Sequence, residues 1–212
     1  SEQNVFFSLK KYQEQIRTLI ETDTVKITPS FRKQEILSFI NQGLEDISIS
    51  RPNKDNFGID FPNKDGQVVY VWIDALINYL TGSGYPHQDY KKTWNEDTHK
   101  IHVIGKNVWK FHAIYWIGLL LSAKLPLPNE ILIHGFLTVD GEKISKSTGN
   151  AIDPEDVLKE FDADVLRCYL LGKISYENDS NFSQKDLKTF YTEELLNQVG
   201  NIFPRVFSIA KK

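Results

Sequence analysis

Residues 101–136 read IHVIGKNVWKFHAIYWIGLLLSAKLPLPNEILIHGF, and this stretch decides the fold. IHVIG (101–105) is a short run with β-branched residues that ends in glycine, the pattern of a strand. VWKFHAIYWIGLLLSA (108–123) is apolar on most sides and is predicted as a buried helix. EILIHGF (130–136) is a second strand. Strand, buried helix, strand over ~35 residues predicts a right-handed parallel βαβ unit. The fold class is therefore α/β. In open sheets of this kind, ligands bind beyond the carboxyl ends of the strands, here Gly105 and the region from His134 to Thr138.

That second end runs directly into DGEKISKSTGN (140–150). Two lysines, Lys143 and Lys146, stand three apart among small hydroxyl residues, between Gly141 and Gly149. Glycine and serine favour a mobile loop over a helix or strand. A lysine pair at this spacing in a generic surface loop is usually only solvated. A loop that leaves the ligand end of a sheet has another use, because phosphoryl and nucleotidyl transfer need cations at oxygens that gain charge. Lysine supplies them as flexible point charges.

Upstream, Lys10 to Thr22 has helical periodicity, with Tyr12, Ile16, Leu19 and Ile20 on one face. Thr28-Pro29 reads as an N-cap with proline at the first helical position. The helix it opens carries Phe31, Ile36, Leu37 and Ile40, and Gly43 ends it. DISIS (46–50) alternates like a half-buried strand, and residues 52–67 form a loop with a short hairpin around Phe57 to Phe61. VVYVW (68–72) is a strand, followed by a helical turn from Asp74 through Leu80 that Gly82, Gly84 and Pro86 end. Residues 83–98 are an irregular connection. Downstream, Asp153 caps a helix with Pro154 in its first turn, and Asp162-Ala163-Asp164 opens another. Residues 173–183 are irregular. From Ser183 a long amphipathic helix carries Leu187, Phe190, Tyr191, Leu195, Leu196, Val199, Ile202, Phe203 and Val206, with Pro204 expected to kink or break it.

The 212 residues hold 25 Lys and Arg against 28 Asp and Glu, a net charge of -3. That balance gives no global pull towards nucleic acid or acidic lipid. The single cysteine, Cys168, excludes a disulfide framework and a cysteine-based zinc knuckle; within VLRCYLL it reads as a buried bystander. No apolar run approaches the ~20 residues that span a bilayer, and no signal peptide is visible. The opening SEQNVFFSLKKYQEQ reads like the middle of a domain, as expected of an excised or processed piece.

Two helical faces are candidate ligand walls. Trp72, Ala75 and Tyr79 fall at i, i+3 and i+7, making a slot for a slender apolar or thioether side chain, or plain core packing. Val108, His112 and Trp116 fall at i, i+4 and i+8 on the helix that starts after Gly105. His99 and His102 read as surface histidines, since no carboxylate or cysteine cluster accompanies them. Asp60 suits ribose hydroxyls or a turn.

GEKISKS resembles the KMSKS signature of class I aminoacyl-tRNA synthetases, with Ile144 where methionine is usual. NVFFSLKKYQEQ, GLEDISISRP, YVWIDALINYL, HVIGKNVWKFHAIYW, LIHGFLTVDGEKISKSTGN, DADVLRCYLL and LLNQVGNIFPR extend the likeness over the whole chain, and together they resemble the methionyl-tRNA synthetase family. The resemblance implies that Trp72, Ala75, Leu76, Tyr79, Val108, His112 and Trp116 line the methionine side-chain pocket. It implies Asp60, Gly105 and Asn107 near the ribose, Asn107 standing where the family commonly has aspartate. It implies Ile49, His134 and Leu137 near adenine. Lys143 and Lys146, with Ser145, would bind the ATP phosphates, Lys146 most directly.

The implied fold is the second half of a Rossmann-like parallel-sheet nucleotide-binding domain, followed by a helical stem-contact and anticodon-domain segment. In residues, 1–45 would end the connective insertion and 46–139 form the second catalytic half. Residues 140–182 would carry the lysine loop and stem-contact region, and 183–212 the first helix of the anticodon-binding domain. The implied ligands are methionine, ATP with Mg2+, and tRNA(Met), with no zinc in this segment and no membrane partner. The family's N-terminal half, with its HIGH motif, would be a further partner, so the isolated chain is expected to be inactive. The expected compartment is the cytoplasm, an organelle being the alternative. A truncated, non-catalytic paralogue that binds tRNA or protein is the rival expectation.

Overall fold

The computed structural model describes residues 3–54, 57–87, 89–139, 141–144 and 152–211. It separates into two compact units, Ser1–Ile133 and His134–Lys212.

The first unit runs β1 (Phe6–Phe7), α1 (Gln13–Glu21), β2 (Lys26–Thr28), α2 (Ser30–Asn41), β3 (Ile47–Ser48), β4 (Ser50–Pro52), β5 (Gln67–Val69), α3 (Val71–Gly82), the single turn α4 (Tyr90–Thr93) and β6 (Ile101–Gly105). A π-helical segment, Phe111–Trp116, then continues into α5 (Ile117–Ala123), and β7 (Glu130–His134) leads out of the unit. The main sheet has the order β2-β7-β6. The two strands joined by the buried helix are therefore neighbours, as the sequence reading requires. β2, which carries no visible alternation, adds in parallel with Lys26 opposite Glu130 and Thr28 opposite Leu132. Ile16, Ile20, Ile27, Ile36, Ile40, Ile104, Ile114, Ile117, Ile131 and Ile133 make one continuous core between sheet and helices.

Several local expectations change for identifiable reasons. Thr28 does not cap α2, because the sheet takes its backbone and its hydroxyl donates to Glu130. Pro29 is the extended residue before the helix, and Ser30 is its first residue. DISIS divides into β3, paired antiparallel with β1, and β4, paired antiparallel with β5. VVYVW stops being a strand at Val69. The Tyr70 N–H donates to the Ile49 carbonyl at 2.9 Å, the β4–β5 ladder pairs no residue beyond Val69 among the described residues, and the chain turns into α3 at Val71. The buried helix is not α-helical at its start; the segment Phe111–Trp116 adopts the wider π register.

The second unit contains β8 (Leu137–Val139), β9 (Glu142–Lys143), α6 (Pro154–Leu158), α7 (Ala163–Gly172), β10 (Ser180–Phe182), α8 (Gln184–Thr189), a π-helical segment Phe190–Val199 and α9 (Gly200–Ala210). Its sheet order is β10-β8-β9, with β10 parallel and β9 antiparallel to β8. Val139, Val157, Tyr169, Phe182, Leu187 and Phe190 form its core. Asp153 caps α6 by accepting the Glu155 N–H at 2.9 Å, and Ser183 caps α8 through the Asp186 N–H. β10 replaces part of the irregular stretch expected over 173–183, because Ser180–Phe182 finds an edge on β8. Cys168 is exposed rather than buried. Pro204 sits inside α9 and does not end it. Of the long apolar stripe, Leu187 and Phe190 are buried, whereas Leu196, Val199, Ile202, Phe203 and Val206 are exposed.

Two glycines test this packing. A Cβ on Gly135 would collide with the backbone of Asn178, which cannot yield. A Cβ on Gly118 would stand 2.6 Å from the Leu9 Cδ1, the far end of a flexible side chain. Gly135→Ala is expected to cost ~3 kcal/mol, at the upper end of overpacking penalties. Gly118→Ala should stay within about 1 kcal/mol of wild type, because the helical preference of alanine offsets the crowding. Urea unfolding of the two variants measures the difference.

Candidate functional site

In the first unit, α3 and the helix that follows Gly105 face one another across an aromatic cluster. Leu76, Trp94, Trp116 and Leu120 are buried in it, with Tyr79, Phe111 and Tyr115 partly buried against them. Tyr79 Oη lies 2.8 Å from His112 Nε2, and His112 Nδ1 lies 3.0 Å from the Val108 carbonyl oxygen. A carbonyl can only accept, so the imidazole proton sits on Nδ1. Burial holds His112 below the ordinary histidine range, which keeps the ring neutral. Nε2 is then an acceptor, and Tyr79 donates its hydroxyl proton to it. Burial raises the Tyr79 pKa, so that proton is retained.

The Val108 carbonyl also accepts the Phe111 N–H at 3.1 Å, beside the His112 imidazole, and the π-helical segment Phe111–Trp116 carries His112. Wide helical turns of this type recur at functional sites.

Burial is graded across the cluster. Trp116 is 2% exposed and His112 4%, whereas Tyr79 and Trp72 are partly accessible and Ala75 is exposed. Trp72 stacks on Phe111, with centroids 3.9 Å apart and planes 12° from parallel. The structure thus brings Tyr79, His112 and Trp116 together, with Leu76 behind them and Val108 taking part through its carbonyl. Phe111, which sequence reasoning did not single out, covers Trp72.

The main correction concerns His102. It is 6% exposed, not a surface histidine. Its Nε2 accepts the Trp116 indole N–H at 3.2 Å, and its ring centroid lies 4.2 Å from that of Tyr79. The signal was its place in β6: with Ile101 and Val103 exposed, the alternation of a strand sends residues 102 and 104 to the covered face.

The remaining candidates are more scattered. Asp60 is exposed and bridges to Val68. Ile49 donates to the Val5 carbonyl and accepts from Tyr70, both at 2.9 Å. Gly105 accepts the Val108 N–H at 3.1 Å, and Asn107 between them is exposed. Near the start of α3 a cavity of about 690 Å³ is lined by Arg51, Tyr70, Val71 and Asp74, among others. In the second unit, His134 Nδ1 lies 2.7 Å from the Gly135 oxygen. Leu137 lines an apolar cavity of about 110 Å³ with Ile144, Val157, Leu166 and Phe182. Lys143 is placed by its backbone, opposite Thr138. Ser145 and Lys146 lie outside the described residues. Among the described residues, no group of three or more His, Cys, Asp or Glu stands together to hold a metal ion, and no helix is long and apolar enough to cross a membrane.

A family model described as tRNA synthetases class I (M) matches residues 1–207, and the chain belongs to that family. The methionine–tRNA ligase of Rickettsia conorii is 40% identical over 213 residues, all of this chain and 41% of the relative. That of Brucella suis is 40% identical over 211 residues, again covering all of this chain and 41% of the relative. Mycobacterium tuberculosis methionyl-tRNA synthetase bound by methionyl-adenylate superposes with a TM-score of 0.86 at 36% identity, over 100% of this chain and 41% of that one. Its apo form gives a TM-score of 0.82 at 33% identity, over 99% of this chain and 40% of that one. The chain thus spans about two fifths of the length of these relatives.

Burial, and then the neighbouring His112, hold His102 down to about 4. Tyr79, His112, Trp94 and Trp116 face it, none of them an anion. Above pH ~6.5 both folded and unfolded states leave it neutral. Below that, the unfolded chain takes up a proton that the folded chain refuses, so stability falls with pH until about 4, by up to ~3 kcal/mol. His112 acts in the same direction. His102→Gln should flatten the decline in denaturation midpoint between pH 6.5 and 4, as followed by urea titrations at several pH values.

Proposed function

We propose that this chain is the methionine-contacting part of a methionine–tRNA ligase, which activates methionine with ATP and transfers it to tRNA. The observation that carries this reading is the Tyr79–His112–Trp116 assembly, within a chain of the class I (M) family. Sulfur packs well against aromatic rings, and a thioether needs no donor. Trp72, Ala75, Leu76 and Val108 complete the side-chain subsite. Gly105, Asn107 and Asp60 serve the ribose, and Ile49, His134 and Leu137 the adenine. Methionyl-adenylate in the Mycobacterium tuberculosis synthetase is the kind of intermediate expected here.

In the first step, a methionine carboxylate oxygen attacks the α-phosphorus of ATP and the bond to pyrophosphate breaks. Lys146, helped by Lys143 and Ser145, neutralises the departing charge, while Mg2+ travels with the nucleotide phosphates. In the second step, a ribose hydroxyl of the terminal tRNA nucleotide attacks the acyl carbon and AMP leaves. The helical tail serves the tRNA side of the reaction.

The chain acts together with a first catalytic half. The exposed Ile101 and Val103 on β6, which ends the sheet among the described residues, support that view, since parallel sheets are normally covered on both faces. Methionine-dependent ATP–pyrophosphate exchange should be absent for the chain alone. It should appear when the first half of the Rickettsia conorii ligase is fused ahead of it. Lys146→Ala in that fusion should lower the exchange rate by 10²–10³, the scale for one charge-stabilising donor. A fused protein that binds tRNA but never exchanges pyrophosphate would instead identify a non-catalytic paralogue.

A further inference from the structure

Three polar hydrogens of the aromatic cluster are committed inside it. The His112 Nδ1–H goes to the Val108 carbonyl, the Tyr79 O–H to His112 Nε2, and the Trp116 indole N–H to His102 Nε2. Indole nitrogen is a donor only. His102 must therefore present an unprotonated Nε2, and its proton resides on Nδ1. The same ring stands 4.2 Å from Tyr79 at 61° and 6.1 Å from Trp94 at 46°. It thus backs Tyr79 and anchors Trp116 at once. A core histidine held only by packing would need no such acceptor geometry.

We propose that His102 is a positioning residue for the Tyr79–His112–Trp116 assembly. By accepting the Trp116 N–H and bracing Tyr79 it fixes both rings, and it withdraws the strongest donor from any side chain that enters. This rests on reading the cluster as the methionine side-chain subsite. A thioether is a weak acceptor and loses little where no donor is on offer. A sulfoxide or carboxamide oxygen leaves its water partners and gains no bond from Trp116 in return. Selection against polar analogues of methionine then follows from the hydrogen-bond inventory as much as from shape.

The test uses the isotopically labelled chain, with wild type, His102→Leu and His102→Gln compared; glutamine can return an acceptor oxygen near the Nε2 position. Hydrogen exchange of the Trp116 indole N–H should accelerate at least ~10-fold in His102→Leu and stay close to wild type in His102→Gln, since a broken bond exposes the site to local opening. Chemical-shift titration with L-methionine and L-methionine sulfoxide should show wild type preferring methionine. That preference should fall about 10-fold in His102→Leu, near 1.4 kcal/mol, and recover in His102→Gln. Equal indole exchange in folded His102→Leu and wild type overturns the role of His102. So does an unchanged preference between the two ligands. If His102→Leu does not fold, the imidazole nitrogen shifts of wild type decide, and a protonated Nε2 at neutral pH sinks the proposal. Absence of any methionine binding by wild type overturns the selection and the subsite reading beneath it, whereas indole exchange can fail with that reading intact.

Discussion

A helix that is apolar on nearly every side has to be covered on nearly every side, and the first unit is arranged around that requirement. The segment from Phe111 to Leu120 meets the isoleucines of β6 and β7, together with α1 and α2, through Ala113, Ile114 and Ile117. Through Trp116 and Leu120 it meets α3 and the loop that carries Trp94. Each of those contacts removes apolar surface from water at roughly 25 cal/mol per Å². Burial on that scale is what allows two neutral histidines and a tyrosine to be carried into the interior. The polar groups are tolerated because the Tyr79, His112 and Trp116 protons each find an acceptor, and an unpaired one would cost far more than the bond returns. Packing and chemistry therefore share one constraint: the Tyr79–His112–Trp116 assembly exists because the helix that carries two of its members cannot be left bare.

Much of this was legible before the structure. The central strand, helix and strand followed from composition and period, as did the spacing that lines up Tyr79 with Trp72 and His112 with Trp116. The misreadings share a cause, since each depended on what lies across space. Lys26–Thr28 and Ser180–Phe182 are three-residue strands with too few positions to show alternation, and only β7 and β8 make them strands. Tyr70 to Trp72 have the β-branched and aromatic character of a strand, yet β4 runs out of partners. His102 looked like a surface histidine because no carboxylate or cysteine cluster accompanies it. Strand alternation would have turned it inward, but its acceptor role needs Trp116, fourteen residues on. Cys168 sat in an apolar run, and the face of α7 it occupies is open to solvent.

The two units express different balances between local and distant contacts. The first buries a long isoleucine-rich core with strands drawn from residues 26 to 134. The second has a smaller core, and its last helical segments carry Leu196 to Ile209 with most of the apolar side chains exposed. Pro204 persists there because a proline removes one backbone donor and crowds one carbonyl, a local defect that the flanking turns span. Local helical bonding, more than burial, holds that end together.

One consequence of the committed protons concerns water. Beside Tyr79, His112 and Trp116, whose hydrogens point into the protein, a solvent molecule finds little to bind and is poorly anchored. Displacing such water returns it to a liquid where it makes better bonds, so covering these rings releases heat while lowering the heat capacity. The grip on an apolar guest would then be chiefly enthalpic, with the hydroxyl lone pairs of Tyr79 the main polar foothold left for a solvent molecule to contest.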